Sequence, residues 1–587
     1  MRMLVLKMLN GGRGAARLLL LFPLSAAATT YYVDPVNGND SNDGLTTNTA
    51  WRALYRTTAI SLHNAPGFGG HVKPLIQGGD TVILRGGLYV GNSNAIRSYI
   101  GTSGTPENPT TFKAYPGEVP VISHITREGG NPAFYCITLR SNSHWRFDGI
   151  TWSNCYKWAG ITASTNITFT NCTFTTGSEG HDYQGLSFLA PAVSNRLQNC
   201  IFRDYGRCND ECNDIGEHVG FTTGPNNVGS GWNLVEGCLF MHSAHDAIGT
   251  GCPYNVLRSN IFINDIWIPT NEVCHLMNFY KEINHYGGYS GRHIKPGDGE
   301  TVSREGSKMG QVDQRNVYEW NTFLYTGPPS DDNGAFAIEM VQRHGIFRFN
   351  TIAFSLASGV YFTAMSPLNY SVSNAFYGNV VYGNGLAQQY GGAGLQSFGY
   401  GLGMNNSGGN YFARSNYVVN NIIWHNLPGN ISERCISYQQ LRNNFTNDAI
   451  DPLFFSTNGW GYTYDPNNLP DFRLRAGSPC IDAGTWLAYA TASGSGTTLP
   501  VDNSLYFSDG NLIVPGDLIQ LEGQTVTSQV VSNDWENHIL HLASPLTWTE
   551  GQGVSLPYYG AAPDQGAFEW IPEGRPFPPP NFRQVAP

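Results

Sequence analysis

A short motif recurs along the middle of the chain: asparagine, then a small or branched residue, then an apolar or aromatic one. It reads N-C-T-F from Asn171, N-C-I-F from Asn199, N-I-F-I from Asn260, N-T-F-L from Asn321, N-T-I-A from Asn350, N-V-V-Y from Asn379 and N-I-I-W from Asn421. G-C-L-F from Gly237 and N-C-Y-K from Asn154 are variants. Asn321, Asn350 and Asn379 lie 29 positions apart. A unit this short cannot bury its own apolar face, so successive units must stack, and a repeat of this length marks a solenoid. Stacking brings the asparagines into one column, where they form a hydrogen-bonded ladder at the turn between two strands. Leucine-rich repeats would show a leucine pattern and propeller blades a longer unit of four strands. The expected fold is an all-β parallel β-helix.

Composition agrees, since charged residues make up only 13% of the chain while glycine and aromatics are plentiful, which favours strands and tight turns. A formal net charge of -11 excludes a broad basic footprint for nucleic acid. Any polyanion must meet a local concentration of cations.

The flanks read differently. Residues 1–28 place Arg2, Lys7, Arg13 and Arg17 ahead of the apolar run Leu18 to Leu24 and the small residues Ser25 to Ala28, the layout of a secretory signal peptide. No later run is long and apolar enough to span a bilayer, so an exported monomer without membrane insertion is expected. Residues 29–130 read as an N-terminal cap with the first coils, with A-W-R-A-L-Y-R-T-T-A-I-S-L from Ala50 as a helix over the open end of the stack. Coils are expected over 131–490. Residues 491–557 lack the motif and carry short β segments with turn signals, a small β-barrel-like insert, and 558–587 form a last strand and a Pro-rich tail. Among the 11 cysteines, Cys155, Cys172, Cys200 and Cys238 directly follow the Asn or its Gly substitute and read as stacked core residues. Cys208 and Cys212 flank a polar excursion and are open to either a small disulfide or free thiols.

The opening Y-Y-V-D-P-V-N-G-N-D-S-N-D-G from Tyr31, followed by G-G-D-T-V-I-L-R-G-G-L-Y from Gly78, resembles the N-terminal cap of secreted right-handed parallel β-helix proteins, including pectate lyases of the ninth polysaccharide-lyase family. The closing D-P-L-F from Asp451, D-F-R-L from Asp471 and D-Q-G-A-F-E from Asp564 resemble the C-terminal segment of bacterial proteins of the same superfamily. The resemblance implies right-handed coils and a carbohydrate-active protein. It leaves the reaction open among polysaccharide lyases, polygalacturonase-like hydrolases and noncatalytic glycan-binding or cell-surface proteins.

Polar residues concentrate between Arg203 and Glu339, where long excursions interrupt the coils, and long loops on one side of a rigid solenoid are where a cleft is built. The leading expectation is a lyase acting on an acidic, uronate-containing polysaccharide, for which the resemblance implies β-elimination with a Lys or Arg as base and Ca²⁺ or another cation on the substrate acid. G-R-H-I-K-P-G-D-G from Gly291 supplies Lys295 as base with Arg292 beside it, and His293 and Asp298 as substrate contacts; the same residues also make an ordinary charged turn. His242, His245 and Asp246 offer substrate contact and acid–base chemistry or a satisfied turn. Asp210, Asp214 and Glu217 are the candidate Ca²⁺ ligands, by density of oxygen donors, although no aspartate cluster of the ninth-family pattern can be mapped onto them.

Overall fold

The computed structural model describes residues 28–54, 76–123, 135–263, 294–296, 315–325, 337–404, 413–458 and 469–572. Within these, 156, 178–183, 206, 209–213, 216, 223–229, 244–246, 356, 367–368 and 387–398 fall outside the description. So do the expected signal peptide, most of the expected cap helix and the tail from 573.

Each coil visits three sheets in turn. Tyr135–Arg140, Trp145–Asp148 and Thr151–Cys155 form one coil, and Lys157–Thr162, Thr168–Thr170 and Thr173–Gly177 the next, each strand pairing in parallel with its counterpart one coil away. Among the described residues the three stacks contain 13 strands (sheet 1, Thr30–Val33 to Gln440–Arg442), 11 strands (sheet 2, Gly87–Val90 to Ile422–Trp424) and 10 strands (sheet 3, Ile96–Arg97 to Leu402–Met404). The molecule is a right-handed parallel β-helix, the hand expected of parallel crossovers.

Aromatic rings stack along the interior at the strand spacing. Phe174, Phe202, Phe240, Phe262 and Phe323 occupy one position in five successive coils with centroids 4.8 Å apart, matching the ~4.8 Å between neighbouring strands. At the open N-terminal end Trp51 stacks on Tyr31 at 4.8 Å and bridges to Val33, and Arg52–Leu54 are bends rather than the start of the expected helix.

Strand register corrects the alignment of the repeats. Thr173 pairs with Ile201, Ile201 with Leu239, Leu239 with Ile261 and Ile261 with Thr322. Counting back, the buried Asn260, Asn321, Asn350, Asn379 and Asn421 stand not over Asn171 and Asn199 but over Cys172, Cys200 and Cys238. Asn171, Asn199 and Gly237 occupy the preceding corner position, with φ of 54°, 54° and 65°. Two demands therefore use the same residue type: the corner needs a side chain that tolerates the left-handed region, and the next position needs a buried amide. The buried amides do form a ladder. Asn350 Oδ1 accepts from the backbone N–H and the amide of Asn321, both at 3.0 Å, and Asn379 repeats this for Asn350. A second ladder runs through Asn195, Asn233, Asn255 and Asn316 at the corner that leads into sheet 1.

Cys172, Cys200 and Cys238 are buried free thiols in one column, as expected. Cys155 is different. It ends a sheet 2 strand, pairs in register with Gly177, and forms a disulfide with Cys136. The position it was expected to fill is taken by Ile150, because Asn154, with φ of 49°, stands at the corner from sheet 2 to sheet 3 and not at the one from sheet 1 to sheet 2. The thiols of Cys208 and Cys212 lie outside the described residues.

Near the C-terminus six antiparallel strands form a separate sheet, in the order Ala488–Tyr489, Gly553–Ser555, Leu518–Leu521, Thr527–Asp534, Ile539–Trp548, Gly494–Pro500. Its apolar side, with Leu499, Ile519 and Leu540, packs on Val256, Val317 and Ile346 of the outer face of sheet 1. Where this sheet leaves and rejoins the chain, Gly484 N–H donates to Pro563 C=O at 2.7 Å and Asp482 N–H to Asp564 Oδ1 at 2.7 Å.

Candidate functional site

The connections around a coil are unequal. Sheet 1 passes to sheet 2 through two residues, as between Gln198 and Ile201. The connections into and out of sheet 3 are the long ones, running from Ile263 to Ile294, Pro296 to Val317, Leu324 to Ile338 and Tyr382 to Leu402. Sheet 3 is thus framed in the sequence by the long connections, on its entry and exit sides, whereas sheet 1 passes to sheet 2 within two residues, and function on a solenoid gathers at such a face.

One register position across sheet 3 reads Gly160, Ser187, Gly220, Gly249, Lys295, Glu339, Tyr361, Gly403. Four of the first five are small or absent side chains followed by a lysine. Gly220 has no room for more, since a Cβ there would lie 2.0 Å from the Gln184 side chain. Lys295 belongs to strand Ile294–Pro296, with Gly249 as its partner on one side and Ile294 paired to Ile338 on the other. The expectation that Lys295 and Pro296 lie in a loop is corrected: they belong to a strand, in which Ile294 stands in register with Ile248 on one side and Ile338 on the other. Glu339, beyond it, is buried and accepts from Thr363 Oγ1 at 3.3 Å. Burial, and then the Glu339 charge, push the Tyr361 phenol up, so it stays a neutral donor.

At the corner from sheet 2 to sheet 3, two residues one coil apart are joined by a hydrogen bond. His242 Nδ1 lies 2.7 Å from Asp204 Oδ1, and Arg203 Nε donates to Asp204 Oδ2 at 2.6 Å. Asp204 and His242 share the left-handed corner conformation, with φ of 59° and 57°, which turns the side chains toward one another along the stack. Burial alone would raise the Asp204 carboxyl, but the hydrogen bond and charge of His242, with Arg203, outweigh it and hold it below the usual carboxylate range. A carboxylate on Nδ1 orients the imidazole and supports proton transfer at Nε2. Directly inside, His218 is fully buried against Trp158 and Phe240, and burial pushes it down to about 3, so it is a neutral core ring.

His242 is thus placed beside a partner, Asp204, that the sequence reading missed. The signal was available: aligning N-C-I-F at Asn199 with G-C-L-F at Gly237 sets Asp204 directly against His242. Asp214 pairs with Cys208 in a short antiparallel pair and Glu217 pairs with Gln184 at the start of a sheet 3 strand, which sets their backbones in different sheets. Asp210, His245, Asp246, Arg292, His293 and Asp298 lie outside the described residues. Among the described residues no group of three or more His, Cys, Asp or Glu is arranged to hold a metal ion, so no Ca²⁺ ligand set can be built from them. Among the described residues, too, no helix is long and apolar enough to cross a membrane.

The geometry defines a parallel β-helix with one framed face. Among solved structures the chain is similar to pectate lyase Pel9A, at 15% identity and TM-score 0.45 over 93% of this chain and 97% of that one. It is similar also to an alginate lyase from Paenibacillus sp. str. FPU-7 (12%, 0.35, 63% and 92%) and to a GH136 lacto-N-biosidase from Eubacterium ramulus (12%, 0.41, 72% and 66%). At these identities and scores the likeness says nothing of reaction or substrate, and the fold stands on strand register. No family model and no curated protein sequence matches the chain.

Proposed function

We propose that the protein is a secreted polysaccharide lyase that cleaves an acidic, uronate-containing polysaccharide by β-elimination on the face of sheet 3. The observation that supports this best is the register position of Lys295, fixed by parallel strands on both sides, with Gly249 and Gly220 leading up to it and Glu339 following. Gly249, the direct strand partner of Lys295, brings no side chain of its own to the face beside the lysine.

In the proposed reaction Lys295 Nζ takes the proton from the carbon beside the substrate carboxylate. The electron pair left behind forms a carbon–carbon double bond as the glycosidic bond to the neighbouring carbon breaks, and the leaving oxygen takes a proton from His242, oriented by Asp204. Lysine must start deprotonated, which neighbouring cations such as Arg292 and His293 favour. The carbanion beside a carboxylate needs positive charge to form, and Arg292 is the group in this chain proposed to supply it. Whether Ca²⁺ shares that task is read out by chelation.

The test is to incubate the purified protein with pectate, alginate and other uronate polymers, with and without chelator, following ultraviolet absorbance of the unsaturated product and reducing ends in parallel. Elimination raises both. Reducing ends without absorbance would replace the reading with hydrolysis, and silence in both with retained glycan binding would replace it with a noncatalytic role. Lys295→Ala is expected to lower kcat by about 10³-fold or more and His242→Gln by about 10²-fold, within the range for removal of a positioned base or acid. Full activity in Lys295→Ala would remove that residue from the mechanism.

A further inference from the structure

The insert encloses, against the outer face of sheet 1, a cavity of about 260 Å³. That lies just under the ~300–1,000 Å³ of ligand pockets, room for one sugar ring and not for a chain. Its floor is a charge ladder across four neighbouring strands, Glu236, Arg258, Glu319 and Arg348, which stand in register. Trp320 and Phe349, half-buried and stacked at 4.5 Å, form an apolar wall, and the insert adds Ser508, Val514 and Asp517.

The ladder divides into two parts with different freedom. Arg348 is saturated: Nε and Nη2 donate to Glu319, Nη1 and Nη2 to Asp517, and Nη1 to the Tyr377 hydroxyl, at 2.6–3.0 Å. This part fixes insert to solenoid, so the cavity is preformed. Arg258 is held differently, with Nε and Nη2 both on Glu236 Oε1, at 2.7 and 2.6 Å, while Glu236 Oε2 accepts from Gln198. The Arg258 and Glu236 side chains remain 28% and 19% exposed. They present a planar donor beside an acceptor, the pairing that neighbouring hydroxyls of a sugar can bridge, next to an aromatic wall suited to its C–H face.

Charge then selects among sugars. Three carboxylates, Glu236, Glu319 and Asp517, face two guanidinium groups, which leaves the lining with one excess negative charge. A uronate placed there would add a second in a partly desolvated site. We propose that the junction of insert and sheet 1 is a secondary binding site for a neutral hexose unit, packed on Trp320 and hydrogen-bonded by Arg258 and Glu236. The site is separate from the face of sheet 3 and is tested by binding, so it stands or falls apart from the elimination chemistry.

The experiment is titration calorimetry and saturation-transfer NMR of the full chain with β-1,4-linked glucose, mannose and galactose hexamers and with a galacturonate hexamer. At least one neutral hexamer is expected to bind, with Trp320→Ala and Arg258→Lys each weakening it tenfold or more, since Lys keeps the charge but not the fork. Both variants should keep the activity of the parent on uronate polymers. If Trp320→Ala does not fold, Arg258→Lys carries the test. Absence of binding by every neutral hexamer, binding that neither variant weakens, or a galacturonate hexamer that binds tighter than the neutral ones and is lost in both variants would each overturn the proposal.

Discussion

The corrected repeat alignment makes a sharp claim about two asparagines that open the same sequence motif. The Asn350 side chain makes four hydrogen bonds: Oδ1 accepts twice from Asn321, and Nδ2 donates to Tyr318 C=O and to Asn379 Oδ1, each at 3.0 Å. Asn350→Ala leaves a buried backbone N–H and a buried carbonyl without those partners. At ~1 kcal/mol net per hydrogen bond the loss is about 3–4 kcal/mol. Asn171 is exposed, its side-chain amide donates to Asp148 Oδ1 at 2.9 Å, and it serves mainly through its φ of 54°, which glycine adopts at no steric cost. Asn171→Gly should therefore cost ~0.5 kcal/mol or less. Asn350→Cys should fall between, because the column already holds Cys238, whose sulfur accepts from Cys200 N–H at 3.4 Å. The assay is peptide-level hydrogen exchange across the strands around Asn321 and Asn350. Asn350→Ala should speed exchange there by about 10²–10³-fold, and Asn171→Gly should leave its own coil near the parent rate. Equal effects at both positions would refute the register argument, since they would mean that the two asparagines do the same work.

Three further outcomes follow from other parts of the stack. His218 is held neutral down to about 3 when folded and takes a proton below 6.5 when unfolded, so its contribution is complete above pH 6.5 and is lost as pH falls toward 3. That amounts to about 2 kcal/mol at pH 5, and urea midpoints at pH 7 and pH 5 should converge in His218→Phe. Arg348→Met strands the carboxylates of Glu319 and Asp517 and should cost about 3–5 kcal/mol, seen as early proteolysis within the insert; adding Glu319→Gln and Asp517→Asn should restore much of it. Reducing the disulfide between Cys136 and Cys155, separated by 19 positions, should lower stability by ~3 kcal/mol in a thermal scan with and without thiol.

The stacking was legible in the sequence because apolar and amide positions recur at a fixed spacing that no isolated unit could satisfy. Its fine register was not. Asn at a left-handed corner and Asn in a buried ladder look alike in a string of letters, and the early coils fill the ladder position with cysteine, so a motif search slides by one residue between Gly237 and Asn260. The disulfide was misread for the same reason: Asn154-Cys155 imitates the corner but sits at a strand end. The candidate site was legible only as a region. Asp204 stands in a strand that reads as ordinary, and nothing in its local sequence points to His242; the pairing follows only from superposing consecutive coils. Lys295 was singled out for its charged neighbours, whereas what distinguishes its place in the structure is the parallel pairing of its strand, with Ile294 in register with Ile248 on one side and Ile338 on the other.

The chain departs for the insert at Gly484 and returns at Pro563 within a single hydrogen bond, so the six-stranded unit, although packed on sheet 1, is joined to the solenoid along the chain at one place. Joining those two residues through a short glycine turn would remove the unit without stretching the coils, and the unit's own ends, brought so close, could be tied together to make it a freestanding ring. Since one wall of the cavity over sheet 1 belongs to the insert, such a deletion would uncover the Arg258 pair and take away one specificity while leaving the framed face of sheet 3 untouched. The solenoid behaves in this respect as a rail, along which a second recognition surface can be mounted or dismounted as a cassette.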